Sequence, residues 1–142
     1  MVQRVAGTAE PANRQTGISR GSARAHRIAA VVLAGLVLAQ AVVAGQALFG
    51  EWDIRVHGWM GNASFALGLV LAWLAWRARA GRLALATAAA LVVTMFVQTG
   101  LGYAGRTTAG AASWHVPLGV AIFGLAVAHA SAAVLAGLDE RR

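Results

Sequence analysis

Two histidines occupy matching places in a repeated pattern. His57 follows Gln40 by seventeen residues and His115 follows Gln98 by seventeen; Gly61 and Gly119 come four residues after each histidine, and Phe65 and Phe123 eight after. Sliding the chain along itself by 58 positions brings all four pairs into register, together with Ala63 on Ala121 and Leu67 on Leu125. Alanine and leucine coincidences mean little in so apolar a chain. Glutamine and histidine coincidences mean more, because polar side chains in hydrocarbon are costly. Two neutral imidazoles at equal depth on facing helices are what six-coordinate haem iron takes as axial ligands.

The neighbours of each histidine suit that chemistry. A porphyrin is a flat plate that approaches a helix only where a side chain is missing, and Gly61 and Gly119 remove one a single turn beyond each histidine. Ser64 and Gly68 continue the same face of the second span, while Phe65 and Phe123 are placed to pack on the far edge of a ring. His115 is expected in the first turn of its helix, with Pro117 just after it. There a missing N–H costs little and the helix dipole favours the neutral imidazole that a metal needs. The cofactor this pattern points to is haem b, with His57 and His115 as metal ligands. No catalytic residue is assigned.

These residues must be positioned by a membrane fold. The chain has 142 residues, 58% of them hydrophobic and 12% charged, too apolar for an ordinary soluble domain. It has no cysteine, which excludes disulfides, thioether-linked haem and thiolate-bound iron–sulfur clusters. The net charge of +7 comes from twelve arginines, and their placement reads as topology, not as a nucleic-acid surface. Ten of the twelve precede the first apolar span, fill the middle connection or end the chain, leaving Arg55 and Arg106 on the other side. By the positive-inside rule both termini are expected in the cytoplasm of a bacterial-type membrane.

Residues 1–25 show no apolar periodicity and are expected to form a basic tail without regular structure. Four apolar spans follow at about 28–50, 54–76, 83–105 and 112–135, each long enough to cross a hydrocarbon core of roughly 30 Å. Residues 139–142 are a charged end. A cleavable leader with Ala39-Gln40-Ala41 as its cut site competes for the first span, but the long basic lead and the mid-chain repeat partner argue against it. Trp52 and Trp59 suit the outer interface, Trp73 and Trp76 the inner one. The expected fold is all-α: an integral membrane antiparallel four-helix bundle over 26–138, built from two repeated helical hairpins related by an axis along the membrane normal.

His129 lies fourteen residues after His115, about 21 Å deeper on a similar face, and its repeat partner is Leu71. His26 falls at the membrane edge, about 10 Å too shallow to meet it by the same arithmetic. Both are expected to be structural or interfacial.

Gln98, Leu101, Gly102 and Arg106, followed by His115, resemble the Q-x-x-L-G…R then H pattern in a four-helix half of the haem A synthase family. The resemblance covers all four spans and implies a haem site at His57 and His115. In the first hairpin Val43-Ala44 and Leu48 stand where that pattern has L-G and R, and the chain corresponds to one half of a family whose members normally join two. It also resembles small uncharacterised four-helix membrane proteins of bacteria. Three readings are open: a b-type haem protein that transfers electrons or handles haem, meeting a redox partner or quinone; a cofactor-free structural or interaction subunit, with a homodimer through Ala/Gly faces; and a zinc or copper site joining the two histidines with Glu51 or Asp53.

Overall fold

In the computed structural model, which describes residues 10–139 and 142, helix α1 spans Glu10–Leu48, α2 Ile54–Arg77, α3 Arg82–Ala104 and α4 Ala109–Asp139. Alanine and leucine fill them, and both are strong helix formers. A helix also satisfies every interior backbone group within its own segment, which hydrocarbon demands. The segments Arg20–Leu48, Ile54–Arg77, Arg82–Ala104 and Ala109–Asp139 are each long and apolar enough to cross a membrane.

The turns end the helices by identifiable means. After α1 the Glu51 N–H bonds the Gln46 carbonyl and the Gly50 N–H bonds Ala47, a Schellman stop with Gly50 at φ 80°. The stop after α2 repeats this geometry with Ala80 on Ala75 and Arg79 on Trp76, and places Arg79 at φ 52° where glycine is usual. Asp53 caps α2 by accepting from the Arg55 N–H at 2.8 Å. That bond, and the Arg55 guanidinium beside it, hold the Asp53 carboxyl below its ordinary range.

α1 packs on α2 and α4, and α3 packs on α2 and α4; the diagonal partners α1/α3 and α2/α4 do not touch through their backbones. The result is an antiparallel four-helix bundle of two hairpins. Leu33, Leu71, Leu91 and Ser64 are fully buried at its centre. Large apolar side chains such as Val42, Phe96 and Val120 face outward, as they do where the surroundings are lipid. Trp52, Trp59 and Trp114 are exposed at one end of the bundle and Trp73 and Trp76 at the other, matching two interfacial belts.

Two boundaries differ from the sequence reading. α1 takes in residues 10–25, for which an irregular tail was expected; adding residues to an existing helix costs far less than starting one, and Pro11 falls in the first turn where its missing N–H is harmless. Residues 1–9 lie outside the described residues. α4 begins at Ala109, so His115 sits in the second turn, not the first, and Pro117 lies inside the helix. Pro117 has no N–H for the Ser113 carbonyl, which opens the ladder two residues before His115. The favourable N-terminal dipole expected at His115 is correspondingly weakened, since it fades beyond the first turn.

Candidate functional site

His57 on α2 and His115 on α4 meet across the diagonal of the bundle. Their ring centroids are 5.9 Å apart and their planes cross at 78°. Since α2 and α4 make no backbone contact, the two rings span the gap at that end themselves.

Each ring is held from behind by the preceding helix. The Nδ1 of His57 lies 3.2 Å from the Gln40 carbonyl oxygen, and the Nδ1 of His115 lies 3.1 Å from the Gln98 carbonyl oxygen. A carbonyl only accepts, so each Nδ1 carries the proton and donates it. Each Nε2 is then the lone-pair nitrogen. This is the orientation in which ligating histidines are commonly fixed by a backbone carbonyl. The seventeen-residue interval seen twice in the sequence is thus a backbone contact as much as a side-chain one.

The glutamine side chains do different work at the two places. Gln40 donates from Nε2 to Ser64 Oγ at 2.8 Å, and Ser64 donates to the Met60 carbonyl at 2.8 Å. Gln98 donates from Nε2 to the free Nε2 of His115 at 3.3 Å, which leaves its Oε1 buried with no hydrogen-bond partner. A buried acceptor in that state costs about 1–3 kcal/mol.

The glycine notches are present but are taken up by these glutamines. A Cβ on Gly61 would stand 3.3 Å from Gln40 Oε1, and one on Gly119 would stand 3.0 Å from Gln98 Nε2. The space next along α2 is closed as well, since Met95 Sδ would be 3.3 Å from a Cβ at Gly68. Phe65 and Phe123 are half-buried against the central core, and Phe65 tilts on Phe96 with centroids 6.1 Å apart.

No protein family, curated protein or solved structure matches the chain. The site is therefore read from its own geometry. Gly102 on α3 belongs to it: a Cβ there would come within 3.0 Å of His115 Cε1, so the missing side chain makes the seat for that ring. The equivalent position behind His57 is Ala44, and the two seats are unequal. Arg106 reaches the same end, with its guanidinium over the Tyr103 ring at 5.1 Å and 3.7 Å from the Cβ position of Gly58, the residue after His57. Asn62 donates to the Tyr103 hydroxyl at 3.1 Å. Glu51 and Asp53 are exposed, and both Asp53 oxygens engage Arg55. Among the described residues no three of His, Cys, Asp and Glu gather at one point.

At the opposite end the structure corrects the expected depth of His26. Its Nε2 lies 3.0 Å from the Nε2 of His129, and both residues are 4% exposed. Counted from the level at which Gln40 meets His57, His26 lies fourteen residues toward the terminal end of α1, and His129 lies the same fourteen residues beyond His115 on α4, so the two histidines meet. The chain thus holds two imidazole pairs, one near each end.

Proposed function

We propose that His57 and His115 are the axial ligands of a haem b held at the bundle end away from the chain termini, in a protein that transfers electrons or handles haem. The observation that carries this reading is the paired Nδ1-to-carbonyl contact, which makes both Nε2 atoms unprotonated lone-pair donors. A bound haem would supply a one-electron redox couple. The residues present suit it in kind: two oriented neutral imidazoles and two helices relieved of a side chain at Gly61 and Gly119. The chain's own part is to hold the rings, to open the notches by turning Gln40 and Gln98 away, and to offer the Arg106 cation at the rim. Gln98 gives up one long hydrogen bond to His115 Nε2 on turning, and frees an Oε1 that has no partner where it stands.

In this reading the chain is a single haem-binding unit similar to one half of the haem A synthase family. Both termini lie on the cytoplasmic side of a bacterial-type membrane, which places ten of the twelve arginines inside. A redox partner or quinone would approach the outer end. The test is haem content and the absorbance of the detergent-purified chain with and without added haemin, beside His57→Ala and His115→Ala.

A second reading is a cofactor-free packing subunit of a membrane complex. It is favoured by the glutamine atoms that already occupy the notches at Gly61 and Gly119. The same experiment separates the two: a packing subunit shows no Soret band and no change in thermal midpoint with haemin.

A further inference from the structure

We propose that His26 and His129 form a proton-binding site at the end of the bundle that carries the termini, taking up one proton on the imidazole pair. The proposal does not rest on what the outer pair binds.

It starts from Thr87 on α3. Thr87 Oγ1 stands 2.7 Å from His129 Nδ1, 3.0 Å from the Leu83 carbonyl and 3.2 Å from the Ala84 carbonyl. The hydroxyl has one proton, and the carbonyls can only accept it. We assign that proton to the backbone carbonyls of the preceding turn, the usual partner of a threonine inside a helix, so that the Thr87 oxygen accepts from His129 Nδ1–H. His129 Nε2 is then a lone pair. The 3.0 Å contact between the two Nε2 atoms therefore runs from His26 Nε2–H to His129 Nε2. One basic nitrogen is left in the cluster, His26 Nδ1.

A proton added there turns His26 into an imidazolium that donates the same Nε2–H to the same neutral acceptor. The hydrogen bond is kept and becomes charge-assisted, hence shorter and stronger. A second added proton would set N–H against N–H, so the capacity is one. Neither filling nor emptying the site requires a helix to move.

The surroundings favour a proton over a larger guest. Ala29, Ala30, Ala126 and Ala130 are buried beside the two histidines in sequence, and the nitrogens already stand at hydrogen-bond distance. The charged or titratable groups acting on His26 are His129 from α4 and Arg27 from its own helix. Arg27 directs its guanidinium to Gly137, two turns beyond His129 on α4. α3 brings the Thr87 hydroxyl, and α2 brings Leu71 and Ala75 to this half of the core while Arg77 is exposed against Trp73. Buried histidines inside a membrane span are costly unless satisfied, and proton relays are a known use of them.

The test is nitrogen NMR of the full chain, labelled at histidine and reconstituted in lipid, over about pH 5 to 8, where histidines work. The expected result at the upper limit is His129 protonated on Nδ1 and His26 on Nε2. Acidification should add one proton at His26 Nδ1, with the His129 Nε2 signal moving in step yet staying unprotonated. His26→Gln keeps a donor for His129, so the thermal midpoint should hold while that shared event disappears. Thr87→Val removes the acceptor that sets the tautomer and should also abolish the shared event, a second route if the first variant folds poorly. Rings that stay neutral throughout, rings that titrate independently, or a pair that instead binds added zinc or copper would each overturn the proposal.

Discussion

His115 donates its Nδ1 proton to the carbonyl of Gln98 across 3.1 Å, and His57 does the same to Gln40 across 3.2 Å. The orienting group in each case is a helix backbone atom, which substitution of the glutamine leaves in place. What the glutamine side chains add is a plug in the glycine notch.

Gln40→Ala and Gln98→Ala should therefore keep haemin binding. Their effect on the apoprotein should stay within about 1 kcal/mol, typical of interhelical hydrogen bonds in membranes. Haemin titrations followed by absorbance, together with thermal midpoints, check this. A loss of binding as complete as in His115→Ala would show that the side chains, not the carbonyls, make the site.

Gly61→Leu and Gly119→Leu place bulk where Gln40 Oε1 and Gln98 Nε2 now sit. The glutamines are flexible and can yield, so the apoprotein should fold. Haemin should no longer raise its midpoint, because stabilisation follows binding to the native state alone; at a hundredfold excess over Kd the wild type should gain about 2.7 kcal/mol. Undiminished stabilisation of both variants by haemin would mean the notches are not the approach.

Two glycines two residues apart on α3 should respond oppositely. Gly102→Ala puts a Cβ 3.0 Å from His115 Cε1, tighter than ordinary contact, and should displace the ring and weaken haemin binding. Gly100→Ala meets open space and should stabilise the helix by roughly 0.5–1 kcal/mol. Equal behaviour of the two in binding and melting would remove Gly102 from the site.

The bundle was legible because apolar length is a property of whole segments. The pairing of His57 with His115 followed from the register of Gln40 and Gln98, a pattern that survives any local error in helix bounds. Gly102 enters the sequence reading only as one position of the resemblance pattern; its shifted partner is Ala44, so the repeat gives no signal there, and its role as a seat comes from the approach of His115. His26 was missed for a different reason. Counting from the membrane edge places it too shallow, whereas counting fourteen residues from Gln40, level with His57, places it beside His129. Pro117 marked a helix start in sequence, yet α4 carries it inside, where membrane surroundings tolerate an open carbonyl when neighbouring groups compensate.

Orientation is tested by single cysteines at Asp53 and Gly81, in a chain that has none of its own. An impermeant thiol reagent on intact cells should label position 53 and spare 81. Labelling of 81 alone would invert the topology and put the His57–His115 pair at the cytoplasmic end.

The central claim is tested most directly by the visible spectrum of the purified chain after addition of haemin, with wild type beside His57→Ala, His115→Ala and His129→Ala. The account predicts a low-spin, bis-imidazole haem spectrum in wild type and His129→Ala, and its loss in each of the other two. A wild-type chain with neither a Soret band nor any stabilisation by haemin would contradict it, as would a bis-imidazole spectrum that persists without His57 or without His115.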